Sequence, residues 1–172
     1  PFMRKEFSPA LPHLAATISN LSGNILYRAL MSLGAEIERR ERLINQAAIL
    51  LGVDKLDINS YHKYYKAGRL TVPLPHLVIV IDEFAQLKMQ RSDFLDQLVG
   101  IAQVGRSLGI HLILATQKPS GVVAPQIMSN SRFRICLKVA DKQDSMEMIG
   151  KADAAYIKNP GRLYLQVGYD EI

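Results

Sequence analysis

The longest helical pattern in the chain runs over Gly23–Leu51. Its apolar residues recur at the spacing that places side chains along one face of an α-helix. Shorter patterns predict three further helices, over Asn59–Lys66, from the N-cap Ser92 to about Arg106, and over Asp141–Ile149. The apolar stripe of the long helix consists of Leu26, Leu30, Leu33, Ile37, Ile44, Ala47 and Leu51.

Apolar runs between and around these helices predict the strands. Leu77–Ile81 is aliphatic without alternation, which is typical of a central parallel strand that is covered on both faces. Ile110–Thr116 has the same character. In Phe133–Val139 the residues alternate, so that Arg134 points away from the apolar side, which predicts that it is available to a neighbour. Two further strands are predicted over Leu11–Ile18 and Arg162–Val167.

Strands that alternate with helices predict an α/β domain, in which a mainly parallel sheet carries helices on its faces. The 172 residues are enough for one domain, and 48% apolar against 22% charged residues is a globular composition. We therefore expect residues 1–172 to form a single domain. Ligands of such sheets bind at the carboxyl ends of the strands, so functional residues are expected there.

Composition excludes several classes of site. Cys136 is the only cysteine, which excludes an internal disulfide and a cysteine-cluster zinc site and fits a reducing compartment. No apolar run is long enough to span a membrane, and the first residues do not form a signal peptide. Because the chain opens without methionine, we expect it to be a piece of a longer protein.

The formal net charge of +5 is a mild bias that permits nucleic acid, nucleotide or acidic protein partners without choosing between them. The basic residues are scattered in small clusters, such as Arg39, Arg40 and Arg42. Each of these clusters is interpreted as a solvated face.

Polar residues follow two of the predicted strands. Asp82 and Glu83 come directly after the strand Leu77–Ile81, and two adjacent carboxylates there indicate a cation such as Mg²⁺ with a nucleotide phosphate. An aspartate that caps the next turn beside a solvated glutamate is the alternative. Thr116 and Gln117 end the following strand, where the glutamine could sense a terminal phosphate or orient a water, or could bond the loop backbone.

These residues stand in a longer pattern. Leu77-Val-Ile-Val-Ile-Asp-Glu-Phe-Ala-Gln-Leu87 and Gly105-Arg-Ser-Leu-Gly-Ile-His-Leu-Ile-Leu-Ala-Thr-Gln-Lys-Pro-Ser120 resemble the FtsK/SpoIIIE family of ring-forming motor ATPases. Asn130-Ser-Arg-Phe-Arg-Ile-Cys-Leu-Lys-Val139 and Pro160-Gly-Arg-Leu-Tyr-Leu-Gln-Val167 continue the resemblance. Within the family, Gln117-Lys-Pro-Ser-Gly-Val-Val123 and Asn159-Pro-Gly-Arg-Leu-Tyr-Leu-Gln-Val167 look more like the type VII secretion ATPases than the chromosome translocases. The resemblance implies a RecA-like P-loop NTPase fold with three layers.

The resemblance also implies roles for individual residues, with ATP and Mg²⁺ as cofactors. Asp82 matches the Walker B aspartate that holds magnesium, and Glu83 matches the glutamate that polarises the attacking water. Gln117 matches the polar sensor of the neighbouring strand. Arg134 is the better candidate for an arginine supplied across a subunit boundary, and Arg106 is the second; a surface role is the alternative for both.

One departure from the family is large. The phosphate loop, which ends Gly-Lys-Ser or Gly-Lys-Thr, does not occur in the 172 residues. Family order places it before Pro1, so we expect an N-terminally truncated motor domain with an incomplete sheet that does not hydrolyse ATP alone and that dimerises or rearranges. A degenerate domain that docks secreted substrates without hydrolysis is the alternative.

The resemblance finally implies a setting. The parent protein is expected to be a bacterial cell-membrane protein whose cytoplasmic motor domains assemble in a ring and move a polymer. Its cargo would be secreted proteins, or duplex DNA if the protein is a chromosome or conjugation translocase. Contact with the membrane would come through regions outside this chain.

Overall fold

The computed structural model describes residues 11–18, 23–85, 100–101, 103–117, 121, 123 and 125–168. Residues 100–101 and 103–108 are helical, and the strands among these described residues form two separate two-stranded sheets, β1–β2 and β3–β4. In chain order, the elements are α1 (Gly23–Leu51), α2 (Ile58–Lys66), β1 (Leu77–Ile81), β2 (Ile110–Leu114), α3 (Pro125–Asn130), β3 (Phe133–Leu137), α4 (Lys142–Ile149), a 3-10 helix (Asp153–Tyr156) and β4 (Leu163–Val167).

Most predicted elements are confirmed to within two residues, and two are not. The segment Leu11–Ile18 forms a turn and extended chain rather than a strand, so that prediction was wrong. Most of its residues are exposed, and Pro12 has no backbone N–H to donate to a ladder, so the segment has little that would hold it in a sheet. The start of the predicted helix at Ser92 lies outside the described residues.

Helix α1 buries its apolar stripe against the larger of two hydrophobic clusters, which also contains residues of α2, β1, β2 and α3. The stripe occupies positions 26, 30, 33, 37, 44, 47 and 51, and the same spacing places position 40 on the buried face. That position is held by Arg40, whose side chain is 3% exposed. The interpretation of Arg40 as part of a solvated face was therefore wrong.

Arg40 joins α1 to the base of the first sheet. Its Nη1 donates to the carbonyl oxygen of Leu108 at 2.8 Å, and its Nη2 donates to that of Pro75, also at 2.8 Å. Its Nε forms an ion pair with Glu36 at 2.8 Å, one helical turn earlier. The guanidinium thus satisfies backbone oxygens just before both strands begin.

The first sheet is parallel. Its register pairs Leu77 with Ile110 and Ile81 with Leu114, so both strands begin at the same level and end at the same level. Gly109 precedes β2 with φ +72°, and a Cβ there would lie 2.6 Å from Cγ1 of Ile58, so this turn requires glycine. The strand pair is covered on one face alone by described residues: Val78, Val80 and Ile113 are exposed. The expectation that β1 is covered on both faces is therefore not met within the described residues, because Leu77, Ile79 and Ile81 pack against the hydrophobic cluster while Val78 and Val80 do not.

The second sheet is antiparallel and has its own core. β3 pairs with β4, and Cys136, Ile149, Ala154 and Ile157 form a second hydrophobic cluster beneath it. Burial raises the pKa of the Cys136 thiol, which keeps it protonated and unreactive. The alternation predicted for β3 is present, but its direction is reversed. The apolar residues Phe133, Ile135 and Leu137 are exposed, and the face of Arg134 and Cys136 packs inward.

Three histidines meet at the amino end of the first sheet. Nδ1 of His76 and Nε2 of His111 are 2.9 Å apart, and the ring of His62 lies edge-on to that of His76. His111 therefore lies at the opposite end of β2 from Thr116 and Gln117. Partial burial, and then the charges that His111 and His62 would carry, lower the pKa of His76, and Arg40 adds to this effect.

Within the described part of the chain, no helix combines the length and the apolar character that crossing a membrane requires.

Replacing Arg40 by methionine should destabilise the fold. The substitution keeps an unbranched apolar stem but leaves the carbonyls of Leu108 and Pro75 without their donor, so we expect the free energy of unfolding to fall by about 3 kcal/mol. Urea denaturation measures this loss. Arg39→Met is the matched control: Arg39 pairs with the same Glu36 from the surface, and its loss should cost at most about 0.5 kcal/mol. Equal losses of unfolding free energy in the two variants would contradict the role of Arg40 as the donor that joins α1 to the sheet.

The histidine contact should make stability depend on pH. Because the pKa of His76 is lower in the folded state than its unfolded value near 6.5, the unfolded state binds more protons below that pH. Stability is therefore expected to fall as the pH drops below about 6.5 and to level off below the folded pKa. Denaturation at pH 7.5 and at pH 5.5 should show that His76→Gln loses less unfolding free energy between the two pH values than the wild type does. As a control, His13→Gln replaces an exposed histidine and should lose as much unfolding free energy between the two pH values as the wild type does.

Candidate functional site

The carboxyl ends of β1 and β2 carry the polar residues that the sequence singled out. Asp82 and Glu83 form a turn directly after β1, and Thr116 and Gln117 follow β2 after Ala115. Because the two strands end in register, these residues come to lie side by side at one edge of the sheet. Both pairs of polar residues therefore stand at the carboxyl ends of parallel strands, where functional residues are expected.

Backbone hydrogen bonds continue past the strands and shape the turn. The amide of Ala115 donates to the carbonyl oxygen of Ile81 at 2.9 Å, and the amide of Phe84 donates to that of Ala115 at 2.8 Å. Phe84 is 1% exposed and anchors the chain in the larger hydrophobic cluster. Asp82 and Glu83 therefore bulge outward between two fixed points.

Glu83 occupies an unusual backbone conformation. Its φ of 54° makes it the one non-glycine residue with positive φ among those that the structure describes. Such a conformation is disfavoured for a residue with a Cβ and is found preferentially at functional sites. Here the ladder bonds on either side of the turn enforce it.

The carboxylate of Glu83 is held from β2. Oγ1 of Thr116 donates to Oε1 at 3.2 Å, and the backbone amide of Gln117 donates to Oε2 at 3.4 Å. Glu83 and Thr116 are half-buried, and Asp82 and the side chain of Gln117 are exposed. Neither Asp82 nor Glu83 forms an ion pair with a residue in the described ranges.

The two candidate arginines lie elsewhere. Nη2 of Arg134 donates to the carbonyl oxygen of Met128 at 3.0 Å, near the end of α3 where helix carbonyls lack intrahelical donors. Its position on the inward face of β3 corrects the expectation that it faces away from the packed side. Arg106 is exposed and precedes β2, at the amino end of the sheet. The structure does not bring either arginine to the Asp82–Glu83 turn of the same chain.

Sequence reasoning missed Arg40 and the His76–His111 contact. The signal for Arg40 was present, because it fills the position at which the apolar stripe of α1 skips a step. The histidine contact joins residues 35 positions apart and follows from the register of β1 and β2, for which the sequence holds no local signal.

Comparison with known proteins places the chain in a family. The model of the FtsK/SpoIIIE family matches residues 6–121. The chain is 55% identical over 162 residues to the type VII secretion system protein EssC of Staphylococcus aureus (strain NCTC 8325 / PS 47), and this match covers 94% of the chain and 10% of the relative. It is 49% identical over 164 residues to the ESX secretion system protein EccC of Geobacillus thermodenitrificans (strain NG80-2), with 94% of the chain and 11% of the relative covered.

A solved structure gives the same result. The cytoplasmic domain of the Thermomonospora curvata type VII secretion ATPase EccC aligns with a TM-score of 0.75 and 29% identity, over 84% of this chain and 16% of that one. This likeness confirms the expected α/β fold of a P-loop ATPase domain. The chain spans about a tenth of the length of the curated relatives it matches. It belongs to the FtsK/SpoIIIE family.

Proposed function

We propose that this chain forms the magnesium-binding and water-activating part of an ATP-hydrolysing motor domain in a type VII secretion ATPase. The observation that carries the proposal is the turn after β1, where Asp82 and Glu83 project beside Thr116 and Gln117. The likeness to relatives named as type VII secretion proteins supports secreted proteins, rather than duplex DNA, as the cargo.

Asp82 is the proposed ligand of Mg²⁺. The oxygen donors at this edge of the sheet are of the type that magnesium prefers, and Mg²⁺ takes one or two protein carboxylates and otherwise keeps water and phosphate ligands. Asp82 is exposed and therefore accessible to such an ion. When bound, the ion supplies positive charge that neutralises the phosphates of the nucleotide. The phosphate loop itself is assigned to a segment outside these 172 residues, which contain no Gly-Lys-Ser or Gly-Lys-Thr.

Glu83 and Gln117 are proposed to handle the attacking water. A carboxylate with free lone pairs accepts a proton from water, and Glu83 lies one residue beyond the proposed magnesium ligand. The amide side chain of Gln117 is exposed at the same edge and can both donate and accept a hydrogen bond. It is the proposed sensor of the terminal phosphate.

Arg134 is proposed to act on a neighbouring subunit of a ring. The resemblance of Asn130-Ser-Arg-Phe-Arg-Ile135 to the family pattern supports this role. The parent protein is proposed to work as a ring of such domains, held at the bacterial cell membrane by regions beyond this chain. The exposed apolar faces of β1–β2 and β3–β4 support contacts with further domains or copies.

Glu83→Gln tests the chemical proposal in the full-length protein. The substitution keeps the size and the hydrogen-bonding shape of the side chain but removes the base, so hydrolysis should slow by about a hundredfold while nucleotide binding is retained. Phosphate release and nucleotide affinity are the two measurements. Asp82→Asn is the matched variant, and it should instead weaken magnesium-dependent binding. Normal turnover by Glu83→Gln would show that the water is activated elsewhere.

Mixing two inactive proteins tests Arg134. An arginine that acts across a subunit boundary contributes about a thousandfold to turnover, so Arg134→Ala alone should be nearly inactive. Mixed rings of Arg134→Ala and Glu83→Gln subunits should regain part of the activity, because some interfaces then pair an intact arginine with an intact glutamate. A structural role at Met128 predicts no recovery at any mixing ratio. Light scattering must show that both variants assemble.

A further inference from the structure

We propose that Thr116 is a positioning residue for Glu83, and that its hydroxyl holds the carboxylate in the orientation in which Glu83 activates water. This inference rests on the proposed function of Glu83 as the base. Thr116 lies just beyond β2, and its side chain contacts the carboxylate of Glu83 rather than the reacting atoms.

The backbone fixes where the side chain of Glu83 begins. The two ladder bonds around the turn, from Ala115 to Ile81 and from Phe84 to Ala115, tie residue 83 to the end of β2. Phe84, fully buried, prevents the turn from sliding along the strand. What remains variable is the set of three side-chain torsions of Glu83, which a carboxylate in water would sample broadly.

Two donors restrict those torsions. The hydroxyl of Thr116 contacts Oε1, and the amide of Gln117 contacts Oε2. Each carboxylate oxygen has two lone pairs, so both oxygens retain the capacity to accept a proton from water. The threonine is β-branched and therefore stiff at its first torsion, which makes it a fixed point for the carboxylate. Of the two contacts, only that of Thr116 depends on a side chain.

Thr116→Val removes the hydroxyl and keeps the branched shape. In the full-length protein we expect about tenfold lower kcat, because a misplaced base loses alignment with the water, and a KM for ATP within about twofold of the wild type. Thr116→Ser keeps the hydroxyl and should restore most of kcat. Thr71→Val makes the same chemical change at an exposed loop residue and should have no effect.

A second readout does not depend on turnover. In the 172-residue chain, the amide proton of Gln117 should resonate upfield in Thr116→Val, because Glu83 is no longer held against that amide. The same signal should stay in place in Thr116→Ser. Thr116→Ala serves in place of Thr116→Val if the latter does not fold, with the same expected changes.

The outcomes separate the inference from the proposed function. Wild-type kcat and an unmoved Gln117 signal in Thr116→Val would overturn the role of Thr116 even if Glu83→Gln is inactive. An equal loss in Thr116→Ser and Thr116→Val would also overturn it, because it would assign the effect to packing rather than to the hydroxyl. Normal turnover by Glu83→Gln would instead overturn the proposed function.

Discussion

The packing of α1 against the parallel sheet β1–β2 depends on the buried guanidinium of Arg40. Arg40 stands on the packed face of α1 and donates to the carbonyls of Leu108 and Pro75, which precede the two strands of the parallel sheet. A buried charge is tolerated where its donors are satisfied, and here the two carbonyl oxygens and the carboxylate of Glu36 provide that. One side chain therefore sets the height of β1 and of β2 against the same helix.

The common starting level of β1 and β2 determines which residues meet at the carboxyl ends of the two strands. Both strands are five residues long and paired without offset, so their polar extensions emerge together. A shift of one residue would turn the side chains of one strand to the other face and separate Thr116 from Glu83. The packing at the amino end, with Arg40 and the histidine contact, and the polar turn at the carboxyl end are thus two consequences of one register.

The antiparallel sheet β3–β4 packs differently from the parallel one. β3 and β4 pair with each other and bury Cys136 and Gln166 on one side, while the apolar residues of β3 remain exposed. Arg134 connects β3 to α3, because its guanidinium donates to the carbonyl oxygen of Met128. Ile127 of the same helix belongs to the larger hydrophobic cluster. An arginine in that position stabilises a helix end.

The sequence by itself determined the elements and the positions of the polar residues at the strand ends, because helical spacing, aliphatic runs and strand-terminal polar residues are local signals. It identified Asp82, Glu83 and Gln117 as neighbours through the general rule for parallel strands. Only the tertiary structure decided which side of each element is buried: Arg40 is inside and Ile135 is outside, against the interpretation of their patterns. Burial depends on what packs against an element, and the partners of α1 and β3 are distant in sequence. The left-handed backbone of Glu83 likewise arises from ladder bonds to Ala115, which no local pattern encodes.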